Sequence, residues 1–126
     1  MGNVSLANVG DIDVLAADVS KRTLYVVECK DLSMARTPYE LATEIRELII
    51  GRDDHKSAID RHAGRVDLVR RHLLETLEWV GCEIKASWKV CPLVVVDEPL
   101  MAPRVEHCPF PVIGIDVLSE RLQKLR

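Results

Sequence analysis

The chain has 126 residues, 48% of them hydrophobic, with 17 Lys+Arg against 20 Asp+Glu and a net charge of −3. That length supports one ordinary core and excludes two, so a single domain over residues 1–126 is expected, and the charge leaves any nucleic-acid binding to a local patch. No apolar run approaches the ~18 to 20 residues that cross a bilayer, no membrane partner is expected, and four cysteines without C-x-x-C pairing behind no basic-apolar leader read as free thiols of a cytoplasmic, intracellular protein.

In chain order, "VSLAN" at 4–8 predicts a short first strand ahead of Gly10. "DIDVLAA" and "TLYVVECK" follow, rich in β-branched residues and joined by the polar "DVSKR", a hairpin pattern. The period then changes. "TPYE" at 37–40 offers Thr37 as N-cap, Pro38 at the first helical position and Glu40 three residues after the cap, and Leu41, Ala42, Ile45, Leu48 and Ile49 share one face up to Gly51. A second box, "SAID" at 57–60, opens a longer helix whose stripe of Ile59, Ala63, Val66, Val69, Leu73, Leu77 and Val80 runs to Gly81, with Arg61, Arg65, Arg70 and Arg71 assigned to its other side. "VCPLVVVDE" reads as a buried strand. A loop with three prolines follows, then a short strand at "PVIGI" and a closing helix from Val117 with Asp116 as its cap. The order β-β-β-α-α-β-β-α predicts a mixed α/β sheet with helices packed on it.

Four charged residues stand out in the expected hairpin. Side chains alternate along a strand, so Asp11 and Asp13 share one face, as do Glu28 and Lys30. A turn centred between Ser20 and Lys21 sets Asp13 opposite Glu28 and Asp11 opposite Lys30. Carboxylates so opposed destabilise the strands unless something neutralises them, and a divalent cation would do so. Two carboxylates without histidine or thiolate favour Mg²⁺ or Mn²⁺ over Zn²⁺. Such an ion polarises a phosphoryl oxygen and acidifies water, and Lys30 can orient that water and offset charge on the phosphate. On this reading Ile12, Val14, Val27 and Cys29 face the core and the other face is the site. A plain cross-strand ion pair between Asp11 and Lys30, worth under ~1 kcal/mol, is the competing interpretation.

These residues resemble the PD-(D/E)xK nuclease superfamily, the restriction-endonuclease-like fold. "GDIDVLA", "VVECK", the amphipathic helix and the later buried strand carry the resemblance. It implies Asp13 and Glu28 as metal ligands, Lys30 as the third catalytic residue, Mg²⁺ or Mn²⁺ as cofactor, and hydrolysis of phosphodiester bonds in DNA. Ile12 stands where the motif has proline. The N-terminal core helix of that family is absent from the sequence pattern, with Asp11 a candidate stand-in for its acid. A module without catalysis, serving assembly or nucleic-acid docking inside a larger protein, is the alternative.

Other residues carry paired readings. Arg61, Arg65, Arg70 and Arg71, with His72, could touch DNA phosphates or form intrahelical pairs with Asp67 and Glu75. Glu44 is an auxiliary candidate within reach of the site, or part of a solvated helix face. His55, His62, His72 and His107 show no metal-binding spacing, and Trp79 and Trp88 read as core or interface residues.

A missing first helix would leave apolar sheet surface and an exposed first strand, so further domains of the same polypeptide or a homodimer are expected to cover them. Light scattering over a concentration series checks this, and a strictly monomeric chain with no longer native form would contradict it.

Overall fold

The register of one hairpin organises the sheet. In the computed structural model, which describes residues 12–31, 35–52, 54–82, 87–98, 100 and 102–124, β1 (Val14–Asp18) runs antiparallel to β2 (Thr23–Lys30). Val14 lies opposite Val27 and Asp18 opposite Thr23, the pairing expected from a turn centred between Ser20 and Lys21. Asp18 ties that turn by accepting from Ser20 Oγ at 2.8 Å and Lys21 N at 3.1 Å. The expected strand at 4–8 and Asp11 lie outside the described residues.

β3 (Lys89–Val96) is parallel to β2, and β4 (Val112–Gly114) is parallel to β3, giving the sheet order β1-β2-β3-β4. The described chain is therefore a mixed α/β fold. The parallel strands end together, with Lys30 beside Val96 and Val96 beside Gly114.

Two helix starts follow the expected caps. Thr37 Oγ1 accepts from Glu40 N at 3.1 Å ahead of α1 (Pro38–Ile45), although Glu40 returns its carboxylate to Arg36 N, at 2.7 Å, one residue before the cap. A π-helical turn over Arg46–Ile50 extends α1 to Gly51. Ser57 Oγ accepts from Asp60 N at 3.0 Å ahead of α2 (Ala58–Arg71).

The single long helix expected up to Gly81 is divided at His72, whose φ of −119° leaves the helical region, and α3 (Leu73–Trp79) continues beyond it. Thr76 supplies a reason, because its Oγ1 donates back to the His72 carbonyl at 2.8 Å, a hydroxyl contact that bends helices. The proline-containing loop includes a short helix, α4 (Ala102–Val105), that the sequence pattern did not indicate. A 3₁₀ turn at Ile115–Val117 takes in Asp116, and α5 (Leu118–Lys124) starts after it.

Both faces of the sheet are covered. On one, Leu24 and Val26 meet Val66, Val69 and Leu77, while Val94 and Val96 meet Leu48, Ala58 and Ile59. On the other, Tyr25, Leu93 and Ile113 meet Leu118 and Leu122 of α5. Each fully buried Leu or Val stabilises by ~1.5 to 3 kcal/mol, which holds the helices to the sheet. The division into one core face and one site face is thus replaced by two core faces, because α5 covers the side opposite α2. Trp88 packs on the Leu24 cluster, whereas Trp79 is exposed.

Gly51 and Gly81 both have positive φ, +82° and +83°, but their surroundings differ. A Cβ on Gly51 would stand 2.9 Å from Ser57 N and 3.0 Å from His55 O, whereas one on Gly81 meets nothing within 4 Å. Gly81→Ala should therefore cost about 1 to 2 kcal/mol from backbone strain alone, and Gly51→Ala more. Urea unfolding of the two variants tests the order; equal losses would show that the α1–α2 junction relaxes around the methyl group.

Candidate active site

Glu28 is the centre of the polar cluster. On β2 it follows Leu24 and Val26 on the face beneath α2, so alternation carries its carboxylate under the helix, and it is 6% exposed. Arg65 reaches it from α2: Nη1 donates to Glu28 Oε2, and Arg65 is itself 8% exposed. Lys30, two residues along the same face and closer to solvent, places Nζ 3.3 Å from Glu28 Oε1. A carboxylate this buried is costly without partners, and two cations compensate it.

Asp13 stands one step before β1 and is exposed. Its Oδ2 accepts from Cys29 N at 2.9 Å, which fixes it beside the strand position following Glu28. The structure thus brings Asp13, Glu28 and Lys30 to the carboxyl end of β2. The repulsion expected between opposed carboxylates is relieved within the chain, because Arg65 and Lys30 hold Glu28 while a backbone N–H holds Asp13.

Cys29 faces away from Glu28 and is exposed, not in the core, since it lies near the end of β2 on the α5 side. Partial burial, helped by the charges of Asp13 and Glu28, pushes its thiol above the usual value. All four cysteines are free thiols.

The helix arginines separate. Arg65 lies on the sheet side of α2, not with the outward-facing arginines, because it falls three residues after His62 and four before Val69 on the buried stripe. Arg61 is half-buried, its Nη1 3.2 Å from His55 Nε2 and donating to Lys56 O at 3.1 Å. Arg70 is exposed, and Arg71 pairs with Asp67 at 3.0 Å. His72 pairs with Glu75, also at 3.0 Å, so both expected intrahelical partners are in use.

Glu44 is no solvated acid: it is 9% exposed, with Oε2 accepting from Ala102 N at 2.9 Å and Oε1 buried without a partner among the described residues. The π-helical turn and α4 enclose it.

Three residues take places that the sequence pattern does not give them. His62 is 1% exposed, 3.1 Å through Nε2 from the Val26 carbonyl and edge-on to Phe110, with Nδ1 buried and unpartnered among the described residues. Its position three residues after Ile59 on the apolar stripe was the available signal. Asp31 and Asp97 extend the ends of β2 and β3, and hydrogen bonding of the protonated Asp31 carboxyl to Asp97, with the Asp97 charge beside it, raises Asp31 above its usual value. Both strands ending in aspartate, "ECKD" and "VVVD", was the signal there, but only parallel pairing makes those ends meet.

A profile of the family described as "Anti-phage protein Upx-like" matches residues 3–100. The chain belongs to that family. Its membership points to a role in defence against phage, and the matched span contains Asp13, Glu28, Lys30 and Arg65. No curated protein and no solved structure matches the chain. No helix among the described residues is long and apolar enough to cross a membrane.

His62 gives the site a testable pH dependence. Burial holds its imidazole below the usual histidine value, outweighing the raising pull of Glu28 and Asp13, while Arg65 lowers it further. An unfolded histidine titrates near ~6.5, so the stability due to neutral His62 is complete above that pH and is lost as pH falls through its depressed folded value. His62→Gln removes this titration, and its unfolding free energy should change less than the wild type's between about pH 7 and about pH 5. Parallel pH curves would assign the dependence to other groups.

Proposed function

We propose that this Upx-like protein is a divalent-metal-dependent deoxyribonuclease that hydrolyses phosphodiester bonds in DNA as its part in phage defence. The observation that carries the reading is the grouping of Asp13, anchored on Cys29 N at 2.9 Å, with the Glu28–Lys30 pair at 3.3 Å, at the end of β2. The carboxyl ends of parallel strands are where open α/β sheets present ligand sites. The resemblance of "GDIDVLA" and "VVECK" to the PD-(D/E)xK nucleases supports the same roles.

The donor chemistry fits a hard ion. Asp13 Oδ1 has no partner among the described residues, Glu28 Oε1 faces Lys30, and the Cys29 thiol and His62 ring are directed elsewhere. No three His, Cys, Asp or Glu among the described residues form a metal-holding group. A carboxylate pair suits Mg²⁺ or Mn²⁺, which retain water and substrate oxygens. When bound, the ion supplies Lewis-acid polarisation of the phosphoryl oxygen and a more acidic water.

The chain's own residues do the rest. Asp13 and Glu28 would hold the ion. Lys30, cationic and partly open to solvent, would orient the attacking water and offset charge developing on the phosphate. Arg70 and Arg71 are exposed on α2, from which they would meet the DNA backbone with the half-buried Arg61 beside them, while Arg65 is held by Glu28.

Cleavage of DNA should require Mg²⁺ or Mn²⁺, stop in excess chelator, and fall at least about a hundredfold in Lys30→Ala. Glu28→Gln should abolish cleavage and serves better than Glu28→Ala, which removes one side of a buried ion pair altogether and should cost about 3 to 5 kcal/mol. Activity at wild-type level in either folded variant would sink the enzymatic reading. Phage protection that survives both substitutions would favour the silent docking module.

A further inference from the structure

Nothing in a carboxylate–x–lysine pair requires a buried arginine behind it, yet α2 supplies one. Arg65 approaches Glu28 from the helix side, with side-chain exposures of 10% for Arg65 and 8% for Glu28, whereas Lys30 approaches from the more open side at 25%. The two cations take different oxygens, Arg65 on Oε2 and Lys30 on Oε1. Asp13, which is exposed, also lies toward solvent.

A side chain with three rotatable bonds and one buried oxygen tied to a helix can no longer turn freely. The helix is itself pinned, since Val66 and Val69 pack on Leu24 and Val26, and His62 meets the Val26 carbonyl one turn before Arg65. We propose that Arg65 is the positioning residue of the site: it clamps Glu28 Oε2 on the buried side so that Oε1 stays presented toward Lys30 and the solvent side, where a divalent cation would be held. The proposal rests on the nuclease reading and deepens it. Arg65 touches neither metal nor substrate; it acts through Glu28, as outer-shell partners orient ligands in metal sites.

Charge and positioning predict opposite signs. By charge alone, removing a guanidinium beside a carboxylate should strengthen cation binding. Loss of the clamp should weaken it.

The test is Mn²⁺ affinity, measured by calorimetry on the wild-type chain, Arg65→Met, Arg65→Lys and Glu28→Gln. Arg65→Met should bind Mn²⁺ at least about tenfold more weakly, and Arg65→Lys, which keeps a cationic donor, should recover most of that loss. Affinity that is unchanged or higher in a folded Arg65→Met chain overturns the proposal.

If that variant does not fold, the wild-type chain decides: the Arg65 guanidinium NMR signals should show restricted rotation both without metal and at saturating Mg²⁺. A guanidinium freed by Mg²⁺ would make Arg65 a competitor of the metal and end the positioning role. Wild-type protein that binds no Mn²⁺, or binds it equally well with Glu28→Gln, removes the nuclease reading and the role of Arg65 with it. Binding lost in Glu28→Gln but untouched in the Arg65 variants overturns the Arg65 proposal alone.

Discussion

The buried ion pair between Glu28 and Arg65 is the constraint on which the local architecture depends. Moving a carboxylate or a guanidinium out of water costs several kcal/mol, and mutual attraction offsets this only when the partners are correctly placed. Here one partner comes from β2 and the other from α2, so the helix cannot shift along the sheet without exposing an unpaired charge to an apolar setting. The apolar contacts of Val66 and Val69 with Leu24 and Val26 hold the same two elements together without fixing direction. The ion pair adds the direction.

That arrangement shapes what lies at the end of the strands. Glu28 is enclosed by α2, Lys30 is only partly covered, and Asp31 and Asp97 stand beyond the last paired residues, where the neighbouring Asp97 holds the Asp31 carboxyl above its usual value. The site thus grades from a dry, compensated carboxylate to open acids over a few residues of β2. Charge compensation inside and available oxygen outside is an arrangement compatible with a cation that arrives from solvent and keeps part of its water. Glu44 closes the neighbouring edge, tying α1 to the start of α4 through Ala102 N. Two cavities lie elsewhere, against Tyr25 on the α5 face, one bordered by Cys91 and Pro109 and the other by Leu118 and Leu122.

Membership in the Upx-like anti-phage family and the local chemistry address different levels. The family places the chain in defence; the Asp13, Glu28 and Lys30 geometry is what the proposed nuclease chemistry is argued from. Both concern the same stretch of chain, since the matched residues 3–100 include the hairpin and α2.

Much of this was legible in the residues themselves. Alternation and a polar turn placed Val14 opposite Val27, and hydroxyl caps at Thr37 and Ser57 marked two helix starts, because these features depend on neighbours close in sequence. The side-by-side placement of Asp13, Glu28 and Lys30 at the end of β2 was also legible, since a hairpin's register follows from its turn. Arg65 carries the charge of a solvent-facing residue yet falls on the apolar stripe, and Cys29 alternates toward a core face, but local alternation says nothing about where the cover of α5 stops. Glu44, His62 and the Asp31–Asp97 contact needed the tertiary structure. Each depends on a partner distant in sequence: Ala102 for Glu44, the Val26 carbonyl for His62, and a parallel strand for the aspartates. Local periodicity determines which face a side chain occupies, whereas long-range packing decides what that face meets.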